Sequence, residues 1–140
     1  MSIRENIADH LIETLSSMSV PVMLKKITRE PFDYELLSNA QFPAVWLQSA
    51  DENRGDVTLS GMREATINYR IVGFVKSSAI DTARNELIES IEKALEVDRT
   101  RGGYALDTQV LEVDTDQGAT TPVGGITMVT QVRYQYMRGE

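Results

Sequence analysis

The sequence predicts an α+β domain: a largely antiparallel sheet of about five strands with two helices packed on one face, in the order α-β-β-β-α-β-β. Two segments repeat apolar residues at three- and four-residue steps, which draws one apolar stripe along a helix. Two others, 63–75 and 125–138, alternate with period two, the pattern of a half-buried strand. Helices and strands come in runs instead of strict βαβ alternation, which favours a largely antiparallel sheet over a parallel one. A chain of 140 residues fits one domain, 1–140, with a real core.

The first helix is expected over about 3–17. Ser2 and Glu5 form a capping pair, and Ile3, Ile7, Leu11, Ile12 and Leu15 face inward. Val20-Pro21-Val22 stops it, because proline disfavours helical geometry in the residue before it. Val22 to Ile27 reads as a short strand, and 28–42 as an irregular excursion holding a helical turn. Phe42-Pro43-Ala44-Val45-Trp46-Leu47 reads as a strand entered through proline, with Trp46 as core or contact. Residues 51–61, polar with two glycines, read as an extended arm or loop. Ala65, Ile67, Tyr69, Ile71 and Val75 then share one face of the strand at 63–75.

Ser78 is expected to cap the second helix, with Asp81 opposing its positive end. Ile80, Ala83, Leu87, Ile91, Ala94 and Leu95 form its stripe, and Gly102-Gly103 is its stop, allowing left-handed backbone. Strands at about 105–114 and 125–138 follow, joined by a hairpin loop at 115–124. In the last strand Ile126, Met128, Val132, Tyr134 and Tyr136 share a face. A strand of about 13 residues spans ~40 Å, comparable to the whole body of a compact domain this size. Strands this long point to edges shared between subunits.

Composition excludes more than it assigns. The net charge of −7 repels phosphate backbones, so nucleic-acid binding is not expected. The absence of cysteine rules out disulfides and thiolate metal sites. No apolar run approaches the ~20 residues of a membrane span, and the N-terminus reads as a helix cap, not a signal peptide. No residue set calls for a cofactor or metal.

The search for chemistry returns structural readings. His10, the single histidine, lies at the flank of the first helix stripe, with no cysteine or Gly-x-Ser-x-Gly motif to join it. Asp114-Thr115-Asp116-Gln117-Gly118 lacks the later ligands of a calcium loop and reads as a turn. Glu86, Glu89, Glu92 and Glu96 lie off the apolar stripe, as a solvated or inter-subunit face. Arg101-Gly102-Gly103 precedes a strand, whereas phosphate-cradling loops run into a helix. Arg54-Gly55-Asp56 matches an adhesion tripeptide by chance.

The layout resembles the tail terminator (tail-completion) proteins of long-tailed bacteriophages. The resemblance is carried by the opening amphipathic helix, by Phe42-Pro43-Ala44-Val45-Trp46-Leu47 and by the strand at 63–75. It continues through Ala94-Leu95-Glu96-Val97-Asp98, Gly102-Gly103-Tyr104-Ala105-Leu106-Asp107 and Val132-Arg133-Tyr134-Gln135-Tyr136. Arg101 stands where the family pattern has an apolar residue before the paired glycines.

The resemblance implies a ring, a homo-hexamer, that caps the head-proximal end of the tail tube. Such a ring stops tube polymerisation and offers its other face to a head-completion or stopper protein. It also touches the sheath protein if the tail is contractile. DNA passes through the lumen without specific binding, no membrane is involved, and assembly takes place in the host cytoplasm. Arg54, Asp56, Arg63, Glu89, Glu92, Arg99, Arg101, Arg133 and Arg138 are the candidate contacts to a neighbouring subunit or the tube. The alternatives are a head-tail stopper, connector or other neck protein, and a small α+β enzyme or ligand-binding domain.

Overall fold

The computed structural model describes residues 2–18, 22–56, 61–115 and 123–138, and for Asp56 the backbone alone. The described elements are α1 (Ile3–Ser16), β1 (Lys26–Thr28), β2 (Ala44–Asp56), β3 (Met62–Lys76), α2 (Ile80–Val97), β4 (Asp107–Thr115) and β5 (Val123–Met137). Two single 3-10 turns, Tyr34–Leu36 and Asn39–Gln41, interrupt the excursion before β2. The fold is α+β, and its element order is the expected one.

The strands form one sheet in the order β1-β2-β3-β5-β4. β1 runs parallel to β2, and every other pairing is antiparallel. Both helices cover one face. Ile7, Leu11 and Leu15 of α1 and Leu87, Ile91 and Leu95 of α2 meet Val45, Leu47, Ile67, Ile71, Met128 and Val132 in a single core. This face is the α side. On the opposite face, Phe32 and Tyr34 of the excursion fold over Trp46 and Phe74, with Phe32–Trp46 centroids 5.0 Å apart. Trp46 therefore packs inside the protomer, between two aromatic rings.

Two glycines set how closely α2 approaches the sheet. A Cβ on Gly73 would stand 3.0 Å from Leu87, and one on Gly124 would stand 2.4 Å from Ile80. Both glycines are the empty spaces into which α2 side chains fit.

Several boundaries differ from expectation. Ser2 does cap α1, its Oγ accepting from the Glu5 amide at 3.2 Å. Ser78 does not cap α2: Ala79 holds the cap position without a side-chain bond, and the Ser77 hydroxyl accepts from the Ala79 amide instead. Gly102 and Gly103 have the left-handed φ values of +70° and +94°. They lie several residues beyond the helix, which ends at Val97, and close the next turn. β1 has only the last part of the strand expected from Val22. β2 is longer than expected, so residues 51–56 are strand and not arm. The rest of the expected arm at 57–60, most of the 115–124 loop and the Val20-Pro21 stop lie outside the described residues.

The long strands differ most from expectation, lying inside the sheet and not at its edges. β3 and β5 are each 15 residues, about 50 Å at ~3.3 Å per residue. They pair with each other along their whole length and lie inside the sheet. The outer strands are β1 and β4.

Candidate functional site

Two β-bulges decide which charged side chains face which way. In β2 the pairing steps from Ser49↔Tyr69 to Glu52↔Ile67, one residue more on β2 than on β3. That extra residue reverses the alternation. Glu52 and Arg54 then share the α side with Ala65 and Ile67 instead of pointing away from it. In β4 the step from Val110↔Thr130 to Glu112↔Val129 likewise inserts Leu111. Beyond it Val113 aligns with Met128 on the α side, while Glu112 and Asp114 turn to the opposite face with Val129 and Thr127.

At the hairpin end of β2 and β3 the first bulge builds a polar cluster under the start of α1. The Tyr134 hydroxyl donates to Glu52 at 2.8 Å, and Arg4 pairs with the same carboxylate at 3.3 Å. Arg54 bonds Glu52 from the other side and lies 4.9 Å over the Tyr136 ring, a cation–π contact. The Tyr69 hydroxyl donates to the Arg4 carbonyl at 3.3 Å. Burial first, then the bond to Glu52, pushes the Tyr134 hydroxyl up to about 12, so it stays a donor at any working pH. Arg63 aligns with Tyr136 and Asp56, and the Arg138 amide bonds the Gly61 carbonyl at 2.9 Å. Arg54, Asp56, Arg63 and Arg138 of the candidate contacts thus come together at one end. Sequence reading missed Arg4 and Glu52, whose place depends on a bulge that leaves no periodic signal.

The other candidates are spread apart. Glu89 and Glu92 project from the exposed side of α2, with Lys93 3.1 Å from Glu89. Arg99 grips Asp107 in a two-pronged pair at 2.7 and 2.9 Å. That bond, and the charge behind it, hold the Asp107 carboxyl below its ordinary range. Arg133 is exposed on β5, aligned with Asp107. Arg101 departs from its expected role: its side chain is fully buried and offers no surface contact. Its guanidinium donates to the carbonyls of Leu95 (2.6 Å) and Asp98, satisfying the last turn of α2 from beneath. The long aliphatic stem fills the space beneath the turn and the head caps the helix.

A groove of about 360 Å³ lies between α1 and α2, lined by His10, Thr14, Met18, Ala94, Val97 and Asp98 among others. His10 stands 3.8 Å from Asp98 and 3.3 Å from the Thr14 hydroxyl. Thr14, His10 and Asp98 follow the order of a nucleophile, base and carboxylate, but Asp98 already serves the turn. Its oxygens accept from the Thr100 hydroxyl at 2.6 Å, the Thr100 amide at 3.0 Å and the Gly102 amide at 2.9 Å. Those bonds hold its carboxyl down near 2. The His10 ring rests against Gly102, where a Cβ would come within 3.0 Å. Histidine and glycine here pack one helix against the turn after the other. Among the described residues no group of three or more His, Asp or Glu side chains is placed to hold a metal ion.

Among the described residues β4 forms one outer edge of the sheet, with no strand beyond it. Leu106, Leu111 and Val113 are 44%, 50% and 40% exposed, beside a half-exposed Tyr104. A nine-residue edge strand with exposed apolar side chains is a template for another strand.

No family model matches the chain, and no curated protein matches it. A solved structure described as "Virion of native gene transfer agent (GTA) particle" aligns over 96% of this chain and 92% of that chain. Its identity is 9% and its TM-score 0.42, a likeness that carries no argument about role.

Proposed function

We propose that this chain is a structural subunit of a phage virion that forms a ring of six copies on the head-proximal end of a tail tube. The observation that carries the reading is the sheet's shape. The paired strands β3 and β5 reach about 50 Å, and among the described residues no strand pairs with the outer edge of β4. A protomer whose sheet ends in an open strand is suited to meet a neighbour there. The resemblance in element order and short strings to tail terminators supports the same reading, and it supplies the cap and the head-side partner.

In this reading the chain transforms no substrate. The ring ends tube growth by offering the tube one face and a head-completion protein the other, and a sheath protein joins if the tail contracts. DNA passes through the lumen unbound. Beyond the part covered by Phe32 and Tyr34, the sheet face away from the helices carries Thr66, Asn68, Thr127, Gln131 and Gln135 between Glu64, Arg70 and Arg133. That largely neutral polar surface would let a duplex slide past. A stopper or connector role would use the same ring at a different level of the neck.

Electron microscopy of tail tubes mixed with the purified chain tests the proposal. Rings seated on one end of each tube, with elongation halted there, are the expected result. Tubes that keep growing with bare ends would contradict it.

A further inference from the structure

We infer that neighbouring copies join edge to edge, β4 of one copy adding to β1 of the next in an antiparallel ladder; this pairing rests on the ring reading above. Four independent features of the two edges agree.

The first is direction. β1 runs with β2, and β2, β3, β5 and β4 alternate from there, so β4 runs opposite to β1. Copies related by rotation about an axis along the strands keep those directions. β4 of one copy then meets β1 of the next as an antiparallel pair, and the sheet continues across the boundary. The second is symmetry. A closed ring needs two different patches on each subunit, and the two ends of one sheet are such a pair.

Charge is the third. β4 carries Asp107, Glu112 and Asp114 and no base, while β1 and its flanks carry Lys25, Lys26 and Arg29 against the single acid Glu30. Within the protomer Arg29 is engaged by Glu5 and Asp9 of α1, and Lys26 rests 5.5 Å over the Phe32 ring. Asp107 is held by Arg99. Lys26 on one edge, and Glu112 and Asp114 on the other, are therefore the complementary groups, with Lys25 adding positive charge beside them. Exposed apolar side chains accompany both: Met23 before β1, and Leu111 and Val113 on β4.

The fourth is face. Lys26 and Thr28 align through Ala44 and Trp46 with Phe74 and Val72, on the side away from the helices. The β4 bulge turns Glu112 and Asp114 to that same side. Ile27 and Val113 both lie on the α side. With Ile27 opposite Val113, Lys26 falls opposite Asp114 and Thr28 opposite Glu112. Without the bulge the same ladder would set acids on the α side and Val113 in the open.

Charge reversal tests this on the full chain, with assembly read by native mass spectrometry and by microscopy on tubes. Lys26→Glu or Asp114→Lys alone should raise the concentration for half-assembly at least about tenfold, and the pair together should restore most of it. Because the chain has no cysteine, Thr28→Cys with Glu112→Cys should give an oxidised ladder of covalent multimers. If the unaltered chain forms rings while neither reversal nor the cysteine pair has an effect, the edge pairing is overturned and the ring stands. If the unaltered chain never associates, alone or on tubes, the ring reading falls and takes the pairing with it.

Discussion

Asp98 shows how much one exposed carboxylate can organise. It joins the end of α2 to the turn that enters β4, accepting three hydrogen bonds and facing His10. Its carboxyl is depressed from 3.8 to about 2. A depressed carboxyl contributes stability that is complete above its unfolded value and is lost as pH falls through its folded one. Asp98→Asn should therefore flatten the stability profile between about pH 4 and pH 2, measured by denaturant unfolding at a series of pH values. An unchanged slope there would show that the carboxylate does not act through its charge. Arg101, three residues on, tests a different balance. Arg101→Ala should cost about 2–4 kcal/mol, since it opens a cavity and leaves helix carbonyls without a donor. Arg101→Met keeps the volume and removes a buried charge, and should cost less than about 1.5 kcal/mol. Equal losses for both would mean that the hydrogen bonds, not the packing, decide.

At the scale of elements, helix faces and the long interior strands were legible because burial imposes a period on them. Ile7, Leu11 and Leu15, Leu87, Ile91 and Leu95, and the alternating residues of β3 and β5 are all in the core. What could not be read depends on contacts between distant segments. The strand at 51–56 is polar and rich in turn formers, and it is held straight by pairing with 63–67. The bulges in β2 and β4 each reverse a face without altering composition. Ser78 does not cap α2 because the helix starts one residue later than expected, with Ala79 at the cap and the Ser77 hydroxyl bonded to its amide. Gly124 belongs to this scale too. It looked like a loop residue, but it is the slot in β5 for the first turn of α2. Gly124→Val should push that turn off the sheet and destabilise the domain by about 1–3 kcal/mol, read as a lowered unfolding midpoint. A midpoint equal to that of the unaltered chain would mean α2 does not seat there.

At the scale of the whole molecule, the candidate contacts fall in different places. Arg54, Asp56, Arg63 and Arg138 gather at the hairpin end, whereas Arg101 lies inside and Arg99 serves its own protomer. A list of charges cannot tell a surface from a helix cap, because a buried arginine satisfied by carbonyls is drawn from the same alphabet. The open β4 edge was missed for a related reason: being an edge is a property of sheet order, and the long strands that attracted notice are interior. The proposed assembly therefore uses an outer sheet edge and two opposite charge sets.

Native mass spectrometry of the purified chain with tail tubes weighs that claim most directly. A closed oligomer of defined copy number, present on the tubes and weakened by Lys26→Glu, is the predicted result. A single 15.6 kDa species at every concentration, with tubes or without, would contradict it.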